Sequence, residues 1–254
     1  MSNRSRMQRE ARRRSQENGT PYQQELHKLR QQEQALPNSP AAENSEPLTR
    51  ADVEKFLADA REKGEQWPKL SGMNLSGADL SGLNLSSIWL DDANLTQANL
   101  TGANLQNTWL TGANLTDANL TCANLQGVDL WYVNLTDVKL ADADLRQVVS
   151  GGVVGEPTSL PGSWQLVSGC LVGPHAILET AELKGADLSG VNLIGANLER
   201  ADLTSADLTN ANLTNASLDY ADLTGANFTG ANLTGTFVGD ANLTNTIIKL
   251  AEGQ

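Results

Sequence analysis

A leucine stands at every fifth position from Leu70 to Leu145, sixteen times without a break, and the register resumes at Leu178 and runs to Ile248. A period of five fits neither the turn of an α-helix, about 3.6 residues, nor the two-residue alternation of a flat strand. A chain that must turn one apolar side chain inward every five residues has to take a corner once per repeat. Corners at a constant interval wind it into a solenoid.

The unit reads Ala, Asn or Asp, Leu, Thr or Ser, then Gly or another polar residue, as in Ala93-Asn94-Leu95-Thr96-Gln97 and Ala231-Asn232-Leu233-Thr234-Gly235. In this pattern, over residues 68–145 and 176–250, the chain resembles the pentapeptide-repeat family. The resemblance implies an all-β solenoid, a right-handed quadrilateral β-helix with four pentapeptides per coil and central residues pointing inward. The physics agrees with that picture. Leucines facing a narrow bore can stack on identical residues of the next coil while the backbone pairs between coils as in parallel sheet. Alanine two residues earlier is required because a larger side chain would overfill the bore.

Aromatic residues make up only 4% of the chain, too few for an ordinary globular core but natural where leucine ladders form it. No stretch approaches eighteen apolar residues, and no apolar segment follows the arginine-rich start. Neither a membrane span nor a signal peptide is therefore expected. Cys122 and Cys170 lack paired spacing, which points to a reducing cytoplasm and no disulfide framework. The Asn-Leu-Thr triplets match glycosylation sequons only as a by-product of the repeat.

Charge divides the 254 residues. Residues 1–36 carry a net +4, residues 37–67 a net −3 and residues 68–254 a net −13, giving −12 for the whole. A basic leader (1–36), helical or disordered, precedes a flexible linker (37–48) rich in Pro, Ser, Asn and Glu. Arg4 to Arg14 suit a short basic helix, and Thr20-Pro21 suits the start of another carrying Tyr22, Leu26 and Leu29 on one face. Such a pair could contact nucleic acid or an acidic partner, could fold back on the acidic repeats, or could be a solvated tail. Direct nucleic-acid binding is not expected outside this leader.

A capping helix is predicted over 49–66. Thr49 is its N-cap, Asp52 lies in the first turn, Val53, Phe56, Leu57 and Ala60 form the apolar stripe, and Gly64 stops it. Its expected task is to cover the open end of the first β-helix block, 67–145, where unpaired backbone would invite association. At the far end, before a tail at 251–254, Ile247, Ile248 and Leu250 could cap the second block, 176–250, or meet the same surface of another copy in a homodimer.

Between Leu145 and Leu178 the spacing is not a multiple of five, so an insert, 146–175, interrupts the register. Its Gly and Pro residues punctuate short apolar runs such as Val153-Val154 and Leu171-Val172 around Trp164. It reads either as a strand-rich connector packed on the repeats or as a loop that engages a partner.

With twenty residues per coil, side chains twenty apart stack about 5 Å from one another. Trp89 and Trp109 form such a pair at the outward position before the central Leu, with Trp131 and Tyr132 on the next coil. They read as an exposed contact surface, or as a patch covered by the insert or the N-terminal segment. Glu182, Asp202 and Asp222 form an acidic row, Glu179, Glu199 and Asp219 a second row at the same corner, and Asp187 with Asp207 a shorter one. Only Arg200 and Lys184 stand near enough to offset them.

Stacked carboxylates repel, so such a strip costs stability unless it is solvated or used. Roughly eight coils would be about 40 Å long and would present rows of negative charge much as duplex phosphates do. Some pentapeptide-repeat proteins are DNA mimics that occupy the DNA-binding surface of type II topoisomerases such as DNA gyrase, and the resemblance implies the same as one function. Those relatives often carry Phe at the central position on some faces, whereas here Phe228 is the only central Phe. The alternative is a passive surface on which Asp replaces Asn at a position that must be polar.

Catalysis is not expected. His27 and His175 have no metal-partner set, no phosphate-binding loop or Ser-His-Asp arrangement is present, and a filled bore leaves no pocket. No cofactor and no metal are called for. The expected function is a non-catalytic scaffold that presents acidic and aromatic ladders to a protein partner.

Overall fold

The computed structural model describes residues 46–249, with Leu29 alone before them. The basic leader, most of the linker and the tail lie outside the described residues. Two units separate at Ala41 and Ala42, and the second, Ala42–Gln254, contains the repeats.

Each repeat supplies one ladder residue, the position before the central Leu, and two turn residues after it. The ladder residue pairs in parallel with the one twenty positions on, as in Asn94 with Asn114 and Glu182 with Asp202. Twenty residues at one corner per five make four sides per coil. Most ladder contacts are single-residue bridges, because the chain turns again before a strand can lengthen. Among the described residues, only β1 (Asp129–Trp131) and β2 (Val149–Gly151) reach three residues on a ladder, and they pair in parallel.

One repeat shows how the pattern holds itself together. Leu95 and Gln97 donate backbone N–H bonds of 2.8 Å to Asn114 and Thr116 in the next coil, and Asn94 donates to Met73 in the previous one at 3.0 Å. Ala98 N–H returns to Leu95 O at 3.0 Å and closes a turn in which Gln97 has φ 60°. A positive φ at that place defines a type II turn and explains why the fifth position is Gly or a small polar residue. The Asn94 Oδ1 accepts from Thr96 N at 3.1 Å and from Thr96 Oγ1 at 2.7 Å, so the Asn and Thr of the unit secure the same corner.

The central Leu residues from Leu70 to Leu223, Phe228 and the alanines preceding them are buried in one continuous core. Burial of each leucine contributes on the order of 2 kcal/mol relative to exposure.

Helix α1 spans Arg50–Glu62, slightly shorter than the predicted segment. Thr49 and Asp52 form a reciprocal capping box, and Gly64, beyond the end, has φ 68°. Val53, Leu57 and Ala60 are buried, and the first two join the core that contains Leu70 and Leu75. The first coil's edge carbonyls are engaged from this side. Leu48 N–H donates to Asn74 O at 2.8 Å, and Arg50 Nη1 donates to Ser81 O at 2.9 Å.

Between the two runs of repeats the register breaks but the coil stack does not. Val149 pairs with Ile177, twenty-eight residues on, and Ile177 pairs with Asn197. The extra length holds β3 (Gln165–Val167) and β4 (Cys170–Val172), an antiparallel pair. Leu171 N–H donates to Ser150 Oγ at 2.8 Å and Val153 N–H to Gly169 O at 3.1 Å, tying the pair to its own coil. Trp164 is buried over Gly173, where a Cβ would meet the indole at 2.3 Å. The segment is thus a packed connector with strand pairing.

Candidate interaction surface

The ladders after β4 carry the acidic side chains. Glu182, Asp202 and Asp222 pair in sequence and continue to Asn242, and Asp187 pairs with Asp207 and then Asn227. Glu182, Asp187 and Asp207 are exposed, and Asp202 and Asp222 are half-buried. Each Asp does the local work of Asn. Asp222 Oδ1 accepts from Thr224 N at 3.0 Å and Oγ1 at 2.6 Å, and Asp202 Oδ1 accepts from Thr204 N at 2.9 Å. The Thr224 hydroxyl and N–H hold the Asp222 carboxyl below the usual range, and those of Ser189 do the same for Asp187.

Between coils Asp and Asn are not equivalent. Asn104 Nδ2 donates to Asn84 Oδ1 at 3.2 Å, and Asn124 Nδ2 donates to Asn104 Oδ1 at 3.2 Å. Where two ladder side chains bond from one coil to the next, as in Asn94 to Asn74, Asn99 to Asp79 and Asn242 to Asp222, an Asn is the donor. A carboxylate has no hydrogen to donate, so the steps Glu182–Asp202–Asp222 and Asp187–Asp207 place like charges together with no bond between them.

The row Glu179, Glu199 and Asp219 lies on the first turn residue of the adjoining corner. Thr180 N–H to Glu199 O and Arg200 N–H to Asp219 O stack these turns coil upon coil. Arg200 Nη1 bonds to Glu199 and stands 3.9 Å from Glu179, and its guanidinium lies 5.0 Å over the Tyr220 ring. Asp219 Oδ1 accepts from Gly239 N–H at 2.7 Å. This row is therefore partly compensated, and in the Glu182 row Lys184 acts on Asp222.

The aromatic surface is corrected. Trp89 and Trp109 are 3% and 1% exposed and present no face to a partner. Their rings stand 4.3 Å apart, Trp67 stacks on Trp109 at 6.1 Å, and Lys69 Nζ sits 4.6 Å from the Trp89 ring. Trp131 and Tyr132, 5.6 Å apart and partly buried, spread over the next coil. A Cβ at Gly151 would meet the Trp131 ring at 2.2 Å, and one at Gly152 the Tyr132 ring at 2.5 Å. Glycines there make room for flat rings to lie on the coil below. Burial, and secondarily the charge of Glu182, raises the Tyr132 phenol.

The reading from sequence passed over Arg200 and Tyr220 as a unit. Both occupy the left-handed turn position, with φ 59° and 62°, where Gly is the unstrained choice. Thr180 stands at the same corner with φ 62°, and Tyr220 is exposed. The signal available was a bulky side chain at the fifth place of the repeat.

Among the described residues no cluster of His, Cys, Asp and Glu has a metal-holding arrangement, and no helix is long and apolar enough to cross a membrane. Cys122 and Cys170 are both free thiols, Cys122 exposed and Cys170 buried. Burial, and then Glu182, pushes the Cys170 thiol up to about 11.

The family model for pentapeptide repeats matches overlapping segments that span 66–149 and 181–245, more than half of the chain, and leaves out the coil that holds β3 and β4. No curated protein matches. Among solved structures, the chain is similar to HetL, a pentapeptide repeat protein involved in heterocyst differentiation regulation from the cyanobacterium Nostoc sp. strain PCC 7120. The two are 24% identical over 82% of this chain and 99% of HetL, with a TM-score of 0.40. It is also similar to a trypsin-treated form of QnrB1, a plasmid-mediated fluoroquinolone resistance protein, at 18% identity over 69% of this chain and 79% of that one, with a TM-score of 0.28. A third similar structure is the pentapeptide repeat protein alr5209 from Nostoc PCC 7120, at 25% identity over 48% of this chain and 93% of that one, with a TM-score of 0.27.

Proposed function

The chain belongs to the pentapeptide-repeat family, and we infer that it is a non-catalytic scaffold whose acidic ladders after β4 receive a positively charged macromolecular partner. The right-handed winding and the end-capping role of α1 belong to the same reading. One observation carries it. Asn would serve each turn as well as Asp and would add a donor toward the next coil, yet three consecutive coils carry Glu182, Asp202 and Asp222. Between coils these carboxylates give up the donor that Asn would add and set like charges side by side, so their use lies at the surface.

The buried Trp89 and Trp109 are no part of this surface. The free thiols fit a reducing, cytoplasmic setting. A more specific reading is favoured by the stacking itself, since carboxylates on successive coils repeat negative charge along a line as a nucleic-acid backbone does. On that reading the partner is the DNA-binding surface of a type II topoisomerase such as DNA gyrase.

A gyrase supercoiling assay with the parent and the triple variant Glu182→Gln, Asp202→Asn, Asp222→Asn tests the specific reading, and partner capture on the same two proteins tests the general one. Inhibition by the parent alone supports the mimic. Proteins retained by the parent and lost from the variant, without inhibition, support the scaffold and sink the mimic. Equal retention by both proteins would sink the acidic-surface reading.

A further inference from the structure

Resting on the acidic surface inferred for the run after β4, we propose that the backbone edge at which that run begins receives an extended basic segment of the partner protein as an added β-strand beside Glu182.

Within a run each ladder residue bonds back to the previous coil twice. Asp202 N–H donates to Ala181 O at 2.9 Å and Asp202 O accepts from Leu183 N–H at 2.8 Å, and Asp207 does the same with Ala186 and Leu188. Between the coil that holds β3 and β4 and the coil of Glu182, one ladder crosses, from Val149 to Ile177. The others stop at Val154, Ser159 and Asp144 and start again at Glu182, Asp187 and Asn192. The intervening strands pair with each other instead. Among the described residues the backbone N–H groups of Glu182, Asp187 and Asn192 have no acceptor and their carbonyls have no donor. On the other side of the break, Gly155 N–H likewise has no acceptor there, and Val154 is 55% exposed. The first coil of the chain begins with the same kind of edge, and there Leu48 N–H closes it on Asn74 O. No described residue does so for Glu182.

A row of unpaired N–H and C=O groups is a template for another backbone, and proteins commonly guard such an edge with charge. Here the guard has one sign. Glu182 and Asp187 are exposed, and the ladder that continues from Glu182 carries Asp202 and Asp222 and no cation. Outward side chains of an added strand would stand beside these carboxylates, so a strand with Lys or Arg at those places is attracted and an acidic one is repelled. A second copy of this chain, with a net charge of −12, is therefore a poor occupant. Each side of a coil offers one ladder residue before the chain turns, which keeps the added strand short. Its backbone bonds to Glu182 set position and register, and its basic side chains supply the selectivity by reaching along the row toward Asp202.

The full chain is followed by residue-resolved amide hydrogen exchange, alone and with a short peptide of alternating Lys and Val at millimolar concentration. A second peptide of the same sequence, N-methylated at every residue, keeps the charge and has no N–H groups to complete a ladder. Without peptide, the Glu182 and Asp187 amides should exchange about a hundredfold or more faster than those of Asp202 and Asp207. The first peptide should slow Glu182 several-fold and the N-methylated one should leave it unchanged. Val154→Trp, which places a bulky ring beside the edge and keeps every carboxylate, should abolish the slowing. Equal protection of Glu182 and Asp202 without peptide overturns the proposal, and so does slowing that persists in a folded Val154→Trp. Equal slowing by both peptides overturns it and leaves the acidic surface standing, since charge alone then binds. Slowing by neither also overturns it, and resonance shifts along the Asp202 and Asp222 row then report whether the acidic surface itself still binds a cationic chain. The two peptides on the parent decide the matter even if Val154→Trp fails to fold.

Discussion

The coils before β2 and the coils after β4 share one core and differ in how they use the ladder position. In both runs buried leucines stack over small alanines, and each Asn or Asp secures the turn that follows it. Before β2 the ladder residue is mostly Asn, and Asn84, Asn104 and Asn124 form a bonded column. After β4 two ladders open with carboxylates that cannot bond to one another. The fold demands a short side chain with an acceptor oxygen and is indifferent to the other atom. Where that atom is an oxygen instead of an amide nitrogen, coil-to-coil bonding is exchanged for surface charge. On the proposed function, the difference between the runs records what the surface is for.

If the core is common to both runs, breaking it in either should do equal damage. Leu115→Asp and Leu208→Asp each bury a carboxylate with no partner, and each should cost several kcal/mol, roughly 4 or more, enough to abolish the cooperative melting transition. A transition preserved in one and lost in the other would show that the two runs have different cores.

The coil between the runs is sharpened by its thiol. Cys122 is exposed and Cys170 is buried, with its thiol pushed up to about 11. At mildly alkaline pH, alkylation of the native protein should modify Cys122 and leave Cys170 protected by about a hundredfold or more, with both reacting after denaturation. Equal rates in the native protein would mean that the coil with β3 and β4 is open.

Converting the first run toward the second should be costly in a modest way. Asn104→Asp with Asn124→Asp removes both donors of the bonded column and adds like charges beside Asp144. A loss of about 0.2–1 kcal/mol per step is expected, deepening at low salt, read by thermal unfolding.

The smallest effect is that of acid. The carboxyls of Asp187 and Asp222 are held low by Ser189 and Thr224. A folded value below the unfolded one, about 3.9 for Asp, gives stability that is present above that pH and lost as pH falls through the folded value. The melting temperature should decline below about pH 4, and Asp187→Asn with Asp222→Asn should flatten the decline.

Much of this was legible in the sequence because the repeat makes position equivalent to place. The spacing alone put Glu182, Asp202 and Asp222 on one ladder and Leu115 in the bore, and Thr49 and Asp52 marked the helix start. The ladder also put Trp89 beside Trp109, but not their burial, since the cover over an outward-pointing ring is set by tertiary packing, here including Trp67 and Lys69. The spacing break after Leu145 revealed an insert. It did not reveal that the ladder passes from Val149 to Ile177, because the extra residues fold into an antiparallel pair within the coil. Arg200 and Tyr220 were missed because the sequence shows their identity and hides the left-handed backbone that makes the choice costly.

The central claim is that the acidic ladders after β4 serve the surface at the expense of the fold. The most direct test is the thermal unfolding of the triple variant Glu182→Gln, Asp202→Asn, Asp222→Asn beside the parent at low ionic strength. The expected result is a higher melting temperature for the variant, with the gap narrowing as salt is added, because like-charge repulsion is removed and amide donors are gained. A variant that melts below the parent would contradict the claim and would make those carboxylates part of what holds the coils together.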